Sequence, residues 1–360
     1  MSAKLVYTYE DLMADQGYAS RVYYEDRLYH GGLDAEGNWI SPRSLCRMSA
    51  VEAWTNRLVT EENPVQVMGV EDLPSDYFPN IAQAKFLLQH GAKTAISSIL
   101  TLIGVVEGFG NVGLQRFPRD PLQPFFVEDL TGTCLAHLDA LFTAHGHDEA
   151  GSDYKGRHEC GHDEMWYIIR DAALENPPVP EDVYSGLSLG TFSNASSESE
   201  NTQTSENAPA LVPLVEGIPP VVDALVQSMM RLLAIELAAF TTFQWASEVL
   251  GDPACSAEPD FAARSVGYIQ DDETVHVSYL QCALSEIRCR TVIGVGGEKI
   301  SGRSIVDEAL QRVLRDQDNS RRQQSFRFRM RKIKEDLALL PQGDKLLVGF
   351  SSLGPVPEVE

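Results

Sequence analysis

The sequence predicts an all-α fold: a helical bundle with an irregular N-terminal arm and a C-terminal helical cap. Three observations predict it. Apolar residues recur at helical spacing through most of residues 81–290, Pro and Gly mark the ends of the long periodic segments, and isolated carboxylates stand inside otherwise apolar helices. The chain has 360 residues, enough for a sizeable core, and no run of eighteen apolar residues occurs in it. With MSAKLVYTYEDLM interrupted early by charge, a cytoplasmic location without membrane insertion is expected.

Residues 1–80 are rich in Tyr, Trp, Gly and Pro, and YHGGLDAEGNWISPR reads as a turn between short extended arms. From residue 81 the pattern turns helical, and the segment through Leu114 is apolar around nearly its whole circumference, as a mostly buried helix requires. A second helical segment is predicted over 127–146 and a third over about 154–175, ended by Pro177 and Pro178. The Ser/Asn/Thr/Glu-rich stretch near 186–212 has little to bury and is expected to be a mobile, disordered crossover. After Pro219 and Pro220 a long apolar helix runs to Gly251, with Pro253 beyond, and a partner helix follows to about Arg290. Residues 291–360 read as a cap, with helices near 302–317 and 320–339 and a loose tail.

The net charge of −23 argues against a general nucleic-acid surface. The basic run Arg321 to Lys334 is a local exception, read as a solvated face that pairs with acidic surface. Six cysteines without CxxC spacing suggest reduced, mostly buried thiols. His90, His137, His145 and His147 lack a partner pattern and are expected to be core or surface residues; Trp166, Phe240, Phe243, Trp245 and Tyr279 are expected to be core, with Trp166 placed to line a substrate pocket.

The chemistry concentrates in four places. RHECGHDEMW contains both His158-Glu159-x-x-His162, the H-E-x-x-H pattern of zinc peptidases, and Glu159-x-x-His162, the half-site one helix contributes to a di-metal carboxylate centre. A second Glu273-x-x-His276 follows in IQDDETVH, and residues three apart share a helix face. Glu236 and Glu107 each sit alone among apolar neighbours, where an isolated ionised carboxylate is costly unless paired or bound to metal. Counting from the helix ends places Glu236 and Glu273 at one level of an antiparallel hairpin.

The order Glu, ExxH, Glu, ExxH resembles the ferritin-like di-iron carboxylate superfamily, whose four-helix bundles carry a long crossover between the second and third helices. The resemblance covers roughly residues 85–290 and implies Glu107, Glu159, His162, Glu236, Glu273 and His276 as metal ligands, with Glu159 and Glu273 bridging and catalytic. It departs from the family in the extra helical segment between Glu107 and Glu159, which leaves Glu128 and Asp139 as alternatives for the first ligand. It further implies two iron ions, or manganese in their place, dioxygen as co-substrate, and hydroxylation, N-oxygenation or desaturation of a small organic substrate. An electron-donor protein or other reductant is the expected partner, and a homodimer is compatible with it. Two alternatives stand beside this reading: a single-zinc hydrolase using His158, Glu159 and His162, which requires a third protein ligand although downstream carboxylates such as Glu175 or Glu181 border a Pro-rich break rather than a second helix, and a metal-free or iron-binding helical scaffold.

Overall fold

The computed structural model describes residues 4–114, 117, 121–154, 156–179, 183, 212–317 and 321–356. The described residues are mostly helical with little sheet. The expected crossover near 186–212 lies outside them except for its last residue.

The N-terminal 80 residues hold more regular structure than an arm. A short helix α1 (Tyr9–Leu12) precedes a three-stranded antiparallel sheet, β1 (Ser20–Tyr24), β2 (Arg27–Leu33) and β3 (Trp39–Ile40), and then α2 (Arg47–Thr60). The turn read from YHGGLDAEGNWISPR is the β2–β3 connection. Buried Trp54 on α2 donates to Leu5 O at 2.9 Å, tying the first residues down.

The long apolar segment from residue 81 is two helices, α3 (Ile81–Gln89) and α4 (Lys93–Leu114), because Gly91 takes a left-handed φ of 88° between them. Lys93–Asn111 is apolar enough by length and composition to cross a membrane, and half of that window is buried in the protein. The segment 127–146 is helical only in its second part, α5 (Leu138–Ala150); irregular chain and short 3-10 turns precede it.

Residues 154–175 depart most from the expectation. Residues 152–159 form a β-hairpin, β4 (Ser152–Tyr154) with β5 (Arg157–Glu159), and the helix α6 begins only at His162 and ends at Leu174. Together α5 and α6 run antiparallel to α4 as one interrupted rod. Gly146 lies against Asn111 and Glu149 against Gly110 before the break, then Asp163 against Gly108, Tyr167 against Gly104 and Arg170 against Thr101 after it. Gly151 and Gly161 touch at the base of the hairpin: a Cβ on Gly161 would meet Gly151 N at 2.1 Å, and Gly151 itself has φ 71°. Only glycine permits the chain to leave and re-enter the helix at one point.

The two longest helices, α7 (Pro220–Leu250) and α8 (Pro259–Arg288), match their predicted bounds closely, with Gly251 as the C-cap of α7. They pack along each other, α6 packs on both α4 and α8, and α2 covers α8. A hairpin of β6 (Thr291–Ile293) and β7 (Lys299–Ser301) leads to α9 (Gly302–Gln317), α10 (Arg321–Ala338) and α11 (Gly343–Ser351), so the expected loose tail contains a further helix. The basic run lies on α10: Met330 and Ile333 are buried, Arg329 donates to Phe78 O at 2.7 Å, and Lys332 lies 3.2 Å from Glu335. That face is partly a packing surface.

Two apolar cores share α7 and α8. One takes Leu225–Leu237 of α7 with Tyr279–Ile287 of α8; the other takes Phe243–Leu250 with Ala262–Ile269. The level between them, Glu236 on α7 with Asp272, Glu273 and His276 on α8, is polar and buried.

Candidate metal centre

Five helices send titratable side chains into this level: Glu107 from α4, His145, Asp148 and Glu149 from α5, His162 from the first turn of α6, Glu236 from α7, and Asp272, Glu273 and His276 from α8. The potential ligand atoms fall into two groups, each with its atoms within 4.8 Å of one another: Glu107, Glu149, His162 and Glu273 in one, His145, Glu149, Glu236 and His276 in the other. Glu149 belongs to both. Its Oε1 lies 3.1 Å from His145 Nε2, 3.5 Å from His162 Nδ1 and 3.4 Å from His276 Nδ1. Glu273 spans the two groups as well, with Oε1 3.0 Å from His162 Nδ1 and Oε2 2.6 Å from His276 Nδ1.

Two of the cluster histidines, His162 and His276, are each held from behind by an aspartate of the opposite half. Asp272 Oδ2 accepts from His162 Nε2 at 3.3 Å and from His30 Nε2 at 2.9 Å, and its Oδ1 accepts from Trp39 Nε1 at 2.8 Å. Asp148 Oδ2 accepts from His276 Nε2 at 3.0 Å, and its carboxylate also takes the buried Arg43 and Arg47 guanidiniums. With Nε2 donating outward, each Nδ1 turns its lone pair toward the cluster. Asp148-Glu149 and Asp272-Glu273 are adjacent on their helices, about 100° apart in direction, so the Glu points inward while the Asp reaches sideways.

These atoms suit a metal better than they suit one another. His145 Nε2, His162 Nδ1, Glu273 Oε1 and both Glu149 oxygens are buried without a hydrogen-bond partner despite their proximity, as expected of donors that converge on a shared point. The charge supports the same conclusion. Counting the histidines as neutral, Glu107, Glu149, Glu236, Glu273, Asp148 and Asp272 carry six formal negative charges and the Arg43 and Arg47 guanidiniums on Asp148 offset two, which leaves four, the number that two divalent cations neutralise.

Without the cations, the group divides its protons. Burial and then the Glu273 charge raise Glu149 and Glu236 well above the carboxylate range and push Glu107 up to about 7. Burial opposes ionisation of Glu273 too, but His276 and His162 hold it well below that range. Burial likewise opposes the Asp148 charge, and Arg47 and Arg43 overcome it.

Of the expected ligands, Glu107, His162, Glu236, Glu273 and His276 are brought together, and Glu159 is not. Glu159 ends β5, turned away from the cluster, and pairs with Arg21 of β1. Its place is taken by Glu149, because the hairpin 151–160 leaves and returns at one point: with it set aside, Glu149-Ala150-Gly161-His162 has the E-x-x-H spacing. The alternatives for the first ligand lie elsewhere, Glu128 accepting from Thr291 N at 2.9 Å and Asp139 exposed at the start of α5.

His145 was expected in core or surface without a partner pattern and is instead in the cluster, one turn before Glu149; Tyr279, expected as packing, holds His145 Nδ1 at 2.8 Å. The Asp-Glu doublet occurs at 148–149, 163–164, 272–273 and 307–308, so by itself it singles out neither α5 ligand; what 148–149 shares with 272–273 is a histidine about one helical turn from the Glu, His145 before Glu149 and His276 after Glu273. Trp166 is fully buried; its Nε1 donates to Glu107 Oε1 at 3.2 Å, and its ring stacks on Phe243.

The residues of the single-zinc reading are dispersed. His158 is exposed on β5 with Nε2 2.6 Å from Glu164, Glu159 meets Arg21, Glu175 meets Lys93 at 2.9 Å, and Glu181 lies outside the described residues. His90 and His137 bond backbone carbonyls, as expected of structural histidines. No family model matches the chain, and neither a curated protein nor a solved structure matches it.

Proposed function

We propose that the chain is a two-metal, dioxygen-activating oxidoreductase that modifies a small organic substrate, and that α4, the interrupted α5–α6 rod, α7 and α8 are its ferritin-like four-helix bundle. The observation that carries this reading is the convergence of four glutamates and three histidines on two overlapping buried groups, with crossed aspartates behind two of the histidines. Mixed carboxylate and imidazole donors suit iron, with manganese as the nearest substitute. Two ferrous ions held there would supply the electrons and open coordination that dioxygen reduction needs.

The chain's own residues would act as follows. Glu149 and Glu273 would bridge the two positions, each presenting one carboxylate to both groups. Asp272 and Asp148 fix ring orientation and raise imidazole basicity. Glu107 is the only partly exposed member of the cluster, its carboxyl turned inward and steadied by Trp166, and so marks the side from which a substrate reaches the metals. Phe243, stacked on Trp166, and Leu233 and Leu237 around Glu236 keep water from the interior.

The test is metal analysis followed by anaerobic ferrous titration and exposure to dioxygen. Two ions per chain, lost in Glu273→Ala and retained in His158→Ala, with dioxygen consumed in proportion to bound iron, are expected. One ion per chain that is lost in His158→Ala and retained in Glu273→Ala would overturn the reading in favour of a zinc hydrolase.

A further inference from the structure

We propose that His145 is a seventh ligand that makes the two metal positions chemically unequal, so that the position at Glu236 and His276 takes up its ion first. The inference rests on the two-metal reading above and adds an order of loading to it.

The geometry clamps the His145 ring and leaves one nitrogen free. Its Nδ1 lies 2.8 Å from the hydroxyl of Tyr279, a fully buried residue one turn beyond His276 on α8. One face stacks on His276, centroids 3.6 Å apart and planes 14° from parallel. Its Nε2 then points between Glu149 Oε1 at 3.1 Å and Glu236 Oε1 at 3.2 Å, yet has no hydrogen-bond partner. A purely structural histidine buried this deeply would use that nitrogen in a bond. A ligand needs it directed at carboxylates that share its metal, with the opposite nitrogen held by a neighbour, as Tyr279 holds it here.

The two positions therefore differ in donors. One has two imidazoles, His145 and His276, with Glu236; the other has one, His162, with Glu107; Glu149 and Glu273 reach both. Late first-row divalent ions favour imidazole over carboxylate donors more strongly than manganese does. The nitrogen-rich position is also the fully buried one, whereas the other includes partly exposed Glu107. Both differences favour tighter binding at the His145 position.

Cobalt(II) is a suitable probe, because its visible absorption responds to each imidazole that binds. Metal-free full-length protein is titrated with cobalt against a competing chelator. Wild type is expected to bind two ions in separable steps, the first at least ~10-fold tighter. His145→Ala and His145→Gln are expected to weaken the first step by ~10-fold or more and leave the second within a few-fold, with the first-step spectrum losing intensity. Tyr279→Phe keeps the packing and removes the hydroxyl, and is expected to weaken the same step to a smaller degree. Circular dichroism identifies which variants fold, and Tyr279→Phe keeps the test decisive where the His145 variants do not. Two indistinguishable steps in wild type, or a first step unchanged in every folded variant, would overturn the inference while leaving the two-metal reading intact. Fewer than two ions per wild-type chain would overturn both.

Discussion

Asp272 holds His162 from the opposite half of the cluster, its Oδ2 3.3 Å from the His162 Nε2, and Asp148 holds His276 in the reciprocal way at 3.0 Å. Each of these two Asp-Glu doublets thus serves both halves, its Glu facing the common centre and its Asp fixing the far histidine. In Asp272→Asn the amide oxygen can still accept a hydrogen bond from His162 while the amide NH2 faces Trp39, but the charge that raises imidazole basicity is gone. Metal affinity is expected to fall ~10–100-fold with the fold retained. A chelator competition that shows less than a twofold change would contradict the role given to Asp272.

Asp148→Asn should behave differently, because Asp148 also compensates Arg43 and Arg47, which are 5% and 0% exposed. Removing one partner of a buried ion pair typically costs ~3–5 kcal/mol, as it leaves the remaining charge unpaired. Urea denaturation of the metal-free proteins is expected to show Asp148→Asn as clearly less stable than Asp272→Asn. Equal midpoints would mean that the guanidiniums find other partners.

The exchange of Glu149 for Glu159 is directly testable. Glu149→Gln is expected to abolish binding of at least one ion per chain, since Glu149 belongs to both groups. Glu159→Gln removes an ion pair with Arg21, 23% exposed, and should leave metal content unchanged. The stoichiometry of the two purified variants decides between the carboxylates, and the reverse pattern would restore Glu159 as the ligand.

Deleting residues 151–160 joins Ala150 to Gly161 and creates Glu149-x-x-His162 in a continuous helix. Because the hairpin starts and ends at touching glycines, the shortened protein is expected to fold and to bind metal with lower affinity. The loss comes from β2, whose Leu28 and His30 bond Cys160 at 2.7 and 3.2 Å and which carries His30 to Asp272. Absence of metal from a folded deletion protein would show that the hairpin itself shapes the site.

The first residues should loosen in acid. His137 accepts from Tyr7 N at 3.1 Å through Nε2 and stacks on Trp54, and burial lowers its pKa below the ordinary histidine value. A folded pKa below the unfolded one means that the unfolded state binds more protons, so this contribution is present above the ordinary value near 6.5 and is lost as pH falls below it. Hydrogen exchange at the Tyr7 amide, corrected for its intrinsic rate, is expected to be faster at pH ~5 than at pH ~7.5. An unchanged protection factor would count against it.

Where an element's identity rests on local spacing, the sequence reading and the structure agree. Helices α7 and α8 are bounded by Pro219–Pro220, Gly251 and the end of a long apolar period, and all of these act within a few residues. Glu273-x-x-His276 is legible for the same reason, since three residues along a helix are always one face. The N-terminal sheet and α6 were harder to read. His30 and Trp39 reach Asp272 only because β2 and β3 cross above α8, a contact over more than two hundred residues of chain. Glu159-x-x-His162 has the right spacing on the wrong backbone: its first three residues are not helical, so its glutamate and histidine do not share a face.

By itself the sequence determined that the chain is mostly helical and that two long helices carry Glu236 and Glu273-x-x-His276 at one level, while Glu107 and His162 entered as ligands only through the resemblance. Tertiary structure alone decided that Glu149 replaces Glu159 and that His145 joins the cluster. The physical reason is the Gly151–Gly161 contact. Spacing along the chain reports which side chains share a helix face only while the helix is unbroken, and here the face is completed through space, across a hairpin that the period of the sequence cannot count.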